Sequence, residues 1–342
     1  MNVETKQTDV VIIGAGPVGL FAAFECGMLG LKCVVVDALP HVGGQCMALY
    51  PEKPIFDIPA LPSVTAAELV DRLMEQAAPF NPAIILGAEV SELDKGSNAS
   101  WRLSLSTGLQ IECAAVIIAT GAGRLRPNRP DWSGLERFEG KSVRYSVTQK
   151  SRYADRTVVI TGGGDSAADW AVELAGIARK VYLVHRREKF RAAPDTLQKI
   201  HRLVESAAIE LLAPAKVHAL DGEADQLHSM EIELAGTRRW IACDEALLFF
   251  GLSSDGSSYA RWGLETEGTE IRVNAKTCAT NLPGVFAVGD VATRPSKLKL
   301  ILAGFSEAAT AAHQAHAFCR PGEELFVEYS TARGVPPLQQ EP

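Results

Sequence analysis

Apolar positions along this chain fall into short unbroken runs, and two of those runs open onto glycines. From Thr8 the sequence reads TDVVIIGAGPVGLFAAFECGMLGLKCVVVDA. The run Val10 to Ile13 feeds straight into GxGxxG at Gly14, Gly16 and Gly19, a helical stretch follows, and a second run, Cys33 to Val36, ends on Asp37. That is a complete strand–turn–helix–strand unit, not an isolated motif. The pattern recurs in RTVVITGGGDSAADWAVELAGIARKVYLVHRREKFRA. Here a strand is expected from Thr157 to Thr161, a helix to about Gly176, and a strand from Val181 to Val184. Two further runs complete the picture. VIIATGAG at 116–123 reads as a strand leaving the first unit, and GVFAVGDVA at 284–292 as a strand ending on Gly289-Asp290 before a helix-like stretch.

Each glycine turn has a chemical reading. In the first, Gly14 permits a tight turn, Gly16 lets backbone approach a pyrophosphate, and Gly19 allows close helix–strand packing. The helix N-terminus, beginning at Pro17, supplies N–H groups and a positive dipole end. Asp37 lies 18 residues beyond Gly19, placed to accept hydrogen bonds from ribose hydroxyls. In the second, Gly163, Gly164, Asp165 and Ser166 form the corresponding cradle, and Ala167 stands where a third glycine would be. Its second strand ends differently. In place of an acid come His185, Arg186 and Arg187, with Arg191 four residues beyond Arg187. A carboxylate there would repel a 2′-phosphate, whereas guanidiniums bind one with forked, charge-assisted bonds. The second turn therefore reads as an NADP(H) site. His185 belongs to that phosphate clamp, since hydride transfer needs no protein base.

Length and composition limit the alternatives. A chain of 342 residues exceeds one ordinary core and suggests two domains. No apolar stretch approaches a membrane span, no secretory leader is visible, and the net charge of −7 argues against nucleic acid. Charge is uneven: residues 119–245 hold 20 basic and 18 acidic side chains, whereas the rest is strongly acidic. Seven cysteines, at 26, 33, 46, 113, 243, 278 and 319, include no CxxC pair and read as reduced, buried thiols of a cytoplasmic enzyme. No metal-ligand spacing and no nucleophilic triad are evident.

These elements define an α/β protein with two Rossmann-like, three-layer dinucleotide-binding domains, one inserted into the other. The outer domain is expected over 1–118 and 246–342 and the inserted NADP(H) domain over 119–245, with hinges near ATGAGRLRPNRP and FFGLSSDG.

GAGPVGL, GGGDSAADWA, HRREKFRA and GVFAVGDV resemble the low-molecular-weight pyridine nucleotide–disulfide oxidoreductases, thioredoxin reductase above all. That enzyme carries a CxxC dithiol just ahead of the second glycine turn, where this chain reads VRYSVTQKSRYADRTVV without a cysteine. A relay of attacking and resolving thiols is therefore impossible there. GGQCMALYPEKPIFDIPALP, VHRREKFRAAPDT and KLKLILAGFSEAATAAHQA are similar instead to the thioredoxin-reductase-like ferredoxin–NADP⁺ reductases. That resemblance implies a homodimeric enzyme that binds FAD at the first turn and passes electrons between NADPH and ferredoxin or flavodoxin. It implies flavin contacts for Gly44, Gln45, Val90 and Asp290, a flavin-stacking role for Tyr50, and for Asp57 a hydrogen bond to the flavin or a part in fixing the loop. It also implies a C-terminal extension over the other flavin face, for which Tyr329, with Thr331 nearby, is the candidate. Lys297 and Lys299, with Lys53, Arg294 and Arg333, are candidates for a basic patch that docks acidic ferredoxin. Two other readings stay open: an NADPH-dependent disulfide or quinone reductase using a thiol such as Cys46, and a nicotinamide-binding redox sensor.

Overall fold

The strand Thr5–Ile13 organises the first unit of the computed structural model, which describes residues 5–96, 100–255, 257–325, 331 and 334–336. It pairs in parallel with Cys33–Val36 on one side and Gln110–Ile118 on the other. Ala83–Ile85 extends the sheet beyond Cys33–Val36, and Val285–Ala287 joins at Val116–Ile118. The opening of Gln110–Ile118 instead takes Trp101–Leu105 as an antiparallel neighbour, followed by Val90–Lys95. The uniformly apolar run of the central strand thus resolves into two faces. Val10 and Ile12 pack against Ala22 and Ala23 of helix Pro17–Met28 and Ala308 and Ala312 of helix Ile301–Cys319. Val11 and Ile13 turn to the other side, among Trp101, Leu103 and Leu105. Alanines bring the two helices close to the sheet, since a small side chain shortens the distance between layers.

The second unit shares this parallel core. Its parallel sheet runs in the order Val143–Arg144, Glu245–Phe249, Thr157–Gly162, Lys180–Val184 and Ile209–Leu212. Helix Asp165–Leu174 packs on the middle strands. An antiparallel layer, Ala215–Glu223, Gln226–Leu234 and Thr237–Ala242, covers the opposite face, burying Met230 and Ile232 with Val159, Val184 and Leu248. The second unit is therefore helix, parallel sheet and antiparallel sheet in three layers, whereas in the first the antiparallel strands continue the parallel sheet and pack Trp101, Leu103 and Leu105 with Val11 and Ile13.

The compact units are Met1–Leu125 with Ser254–Pro342, and Arg126–Ser253. The return crossing lies later than the expected 245/246, for a physical reason. Glu245–Phe249 forms ladder pairs with Thr157–Gly162 and so belongs whole to the second sheet. The crossing strands Arg124–Pro127 and Leu252–Asp255 pair with each other. Among the described residues, no helix is long and apolar enough to cross a membrane.

Candidate functional site

In the first unit the glycine turn closes over a cavity of about 600 Å³, within the usual range for small-molecule sites. Gly14 has φ +112°, and a Cβ there would stand 2.4 Å from the carbonyl oxygen of Ala119, so no side chain fits. Gly19 lies beneath the turn, where a Cβ would meet Gly14 O at 1.9 Å, and it packs rather than lines the cavity. Gly16 and Pro17 are the N-cap and first residue of helix Pro17–Met28, which has no side-chain cap. Its first-turn N–H groups therefore await a partner, as an anion site requires. The segment at Gly44 folds onto this turn: Gly43 N–H donates to Ala15 O at 2.8 Å, and Gln45 Nε2 to Gly123 O at 3.3 Å.

Asp37 lines the cavity, but its carboxylate also has work within the protein. Oδ2 accepts from Ala15 N–H at 2.6 Å and Oδ1 from Leu39 N–H at 2.8 Å. The acid at the end of the second strand thus fastens the glycine turn, while each oxygen keeps acceptor capacity.

Tyr50 terminates the short helix Gly44–Leu49 and borders the cavity with Cys46, its hydroxyl 3.4 Å from the Cys46 sulfur. Burial pushes both groups above their ordinary pKa values, so phenol and thiol stay protonated at neutral pH. Asp290 also lines the cavity. Burial raises its pKa, and Lys297 and Lys299 pull the other way. Val90 sits at a bulge in its strand, also on the wall. Asp57 is exposed and not on the wall, Thr331 is exposed, and Tyr329 and Arg333 lie outside the described residues.

Sequence reasoning missed one end of this cavity. Tyr259 and Trp262, more than 130 residues beyond Thr120, line it beside Val90. The Tyr259 hydroxyl bonds Thr120 Oγ1 at 2.7 Å, the two rings meet edge-on at 5.8 Å, and the Trp262 indole donates to Ser91 O at 3.2 Å. The signal available was two aromatics in YARW, near the return crossing.

In the second unit, Gly164 caps helix Asp165–Leu174, again without a side-chain cap, and Ser166 is exposed in its first turn. The arginine loop folds back onto this turn. Arg191 N–H donates to Gly163 O at 2.7 Å, and Asp165 Oδ1 accepts from Ala193 N–H at 2.9 Å. The His185 ring lies so close over Gly163 that a Cβ there would come within 2.1 Å of it, and the Phe190 ring lies tilted against it at 4.7 Å. Burial lowers the His185 pKa, a backbone hydrogen bond at Lys189 opposes this, and the nearby arginines push the same way as burial. Arg186, Arg187 and Arg191 are exposed, and among the described residues no carboxylate occupies their guanidiniums. The structure thus brings His185 and the Arg191 backbone onto the turn at Gly163, with Arg186 and Arg187 exposed on the loop between them.

The lysine patch needs correction. Lys297 was expected on the surface, but its side chain is 5% exposed and ion-paired with the buried Glu307, which Arg294 also reaches at 3.3 Å. Lys299 is half-exposed and held by Glu270. Neither is a free docking charge. The thiols are as expected: six of the seven cysteines are buried, Cys319 is half-buried, and none forms a disulfide. Among the described residues no group of side chains could hold a metal.

Two glycine-turn units on one chain, one beside a large cavity and the other rimmed by exposed arginines, define a two-dinucleotide α/β oxidoreductase. The chain belongs to the pyridine nucleotide-disulphide oxidoreductase family, whose model matches residues 8–315. It is 52% identical over 334 residues to the ferredoxin–NADP reductase of Rhodospirillum rubrum, spanning 96% of this chain and 97% of that one. It is 51% identical over 331 residues to the ferredoxin–NADP reductase of Paramagnetospirillum magneticum, spanning 96% and 98%. Its fold is similar to Lactococcus lactis thioredoxin reductase, with a TM-score of 0.74 at 24% identity over 91% of this chain and 99% of that one.

Proposed function

We propose that this chain is an FAD-dependent ferredoxin–NADP reductase that moves electrons between NADPH and ferredoxin without a thiol relay. The observation that carries this reading is two glycine-turn units on a chain whose cysteines form no disulfide and, apart from the half-buried Cys319, are buried. The residues fit FAD: an uncapped helix N-terminus for the pyrophosphate, a turn at Gly14 that no Cβ could share, and the Tyr50 ring on the cavity wall. Bound FAD would supply a hydride acceptor that can release electrons one at a time.

The protein's part is binding and orientation. Gly14, Gly16, Pro17 and Gly44 hold the pyrophosphate region, with Gly19 supporting the turn from below. Asp37 fastens that turn and accepts from ribose. Val90, with Tyr259 and Trp262, encloses the adenine end. Asp290, Gln45 and Tyr50, all on the cavity wall, would hold the flavin, the Tyr50 ring by stacking. Arg186, Arg187 and Arg191 bind the 2′-phosphate of NADP(H), His185 holds their loop on Gly163, and Gly163, Gly164, Asp165 and Ser166 cradle the pyrophosphate. Flavodoxin as a second acceptor, a homodimer, a cytoplasmic location and a flavin cover from Tyr329 or Thr331 complete the proposal.

One observation favours a second reading: Cys46 borders the cavity beside Tyr50. A disulfide reductase would need that thiol as a nucleophile, yet burial raises its pKa. NADPH-driven cytochrome c reduction, with and without added ferredoxin, run beside a thioredoxin–disulfide assay, separates the two. Ferredoxin should stimulate the first reaction strongly while the second stays at background. The reverse result would establish the disulfide reductase.

A further inference from the structure

A buried charge cluster stands behind the Gly289–Asp290 turn. Glu307, on helix Ile301–Cys319, has a side chain only 6% exposed. Its Oε2 accepts from Gly289 N–H at 2.9 Å, Lys297 Nζ reaches both carboxylate oxygens, and Arg294 donates to Oε1 at 3.3 Å. Gly289 has φ +72°, a left-handed conformation that side chains resist. One turn before Glu307, a Cβ at Gly304 would stand 2.4 Å from Val18 Cγ2 and 3.4 Å from Gly289 Cα. The helix is thus pressed against the turn, with Glu307 on the face that meets it. Gly289 and Asp290 line the cavity, while Glu307, Lys297 and Arg294 lie behind them.

A buried ion pair often contributes no more than apolar side chains of the same size, so stability alone does not account for one here. What this pair adds is an acceptor for the backbone N–H of a left-handed residue on the cavity wall. We propose that Glu307 is a positioning residue of the flavin site. It fixes the Gly289 N–H, and so the placement of Asp290, while Lys297 and Arg294 hold its carboxylate in place. This inference rests on the reading of the cavity as the FAD site.

The test compares two variants that carry no buried charge at either position, Lys297→Met/Glu307→Gln and Lys297→Met/Glu307→Leu. The first keeps an oxygen for Gly289 N–H, and the second keeps only volume. FAD is stripped from the full chain, and FAD affinity is measured by flavin fluorescence quenching, with NADP⁺ affinity and melting temperature recorded alongside. The leucine variant should bind FAD on the order of tenfold more weakly than the glutamine variant, as expected for one lost hydrogen bond with its donor left buried. NADP⁺ affinity should be the same in both. Equal FAD affinities would overturn the proposal. Should the leucine variant not fold, Glu307→Asp keeps the charge but retracts the acceptor. It should weaken FAD similarly, and unchanged affinity would be equally fatal. Wild-type protein that takes up no FAD while binding NADP⁺ would overturn the site reading, and this proposal with it.

Discussion

Replacing Arg186 and Arg187 with alanine removes two of the three guanidiniums beside the second glycine turn. Both are exposed, and among the described residues no carboxylate holds them, so their removal breaks no internal ion pair. Arg191 stays in place, its backbone bound to Gly163 O at 2.7 Å. A hydrogen bond to a charged group contributes roughly 1.5–3 kcal/mol, and solvent screening at an exposed site favours the lower figure. The pair then contributes about 3 kcal/mol, or about a hundredfold in KM for NADPH. NADH lacks the 2′-phosphate, so its KM should hardly move. Because the phosphate is remote from the reacting carbon, the contact is equally strong in ground and transition states, and kcat at saturating NADPH should hold. Steady-state reduction of ferricyanide with each nucleotide measures all three quantities. The NADPH effect should also shrink at high salt. Parallel rises in both KM values would refute the assignment.

Cys46→Ser should leave ferredoxin-linked turnover largely intact, and its loss would revive the thiol mechanism. Asp290→Asn should stabilise the apoprotein at neutral pH. Burial raises the folded-state pKa of Asp290, so its favourable contribution is complete below its ordinary value of 3.8 and is lost as pH rises through the folded value. Thermal melts across that range should show the gap closing in acid, whereas a gap that widens in acid would contradict the sign. Lys297→Ala leaves Glu307 buried without its closest cation and should lower stability by about 3 kcal/mol in denaturant titration. Ferredoxin affinity should not change, and a selective loss of that affinity would restore the docking role.

The two βαβ units were legible because each places an apolar run, a glycine turn and an acid or arginine ending within a few dozen contiguous residues. The strand Cys33–Val36 falls where the pattern puts it, and the arginine loop that follows the second strand folds onto Gly163. What escaped depends on pairing across distance. The antiparallel strands carry no local signature that assigns them to a sheet edge or face. Tyr259 meets Thr120 only after the chain has passed through the second unit. Lys297 read as a surface lysine because its loop is polar. A signal did exist in the next helix, where Glu307 lies three residues from Gly304 and four from Ala311, on the stripe of small residues that faces the core. Asp37 was read for a ribose alone because the backbone N–H groups that its carboxylate accepts cannot be seen in a sequence.

The central claim is that electrons leave this protein directly from the flavin. The most direct measurement reduces the enzyme anaerobically with one equivalent of NADPH, then follows visible flavin absorbance after mixing with oxidised ferredoxin or with oxidised thioredoxin. Rapid reoxidation by ferredoxin is expected, unchanged in a variant with all seven cysteines replaced, with no reoxidation by thioredoxin. Reoxidation by thioredoxin alone, or a ferredoxin reaction abolished by removing the thiols, would contradict it.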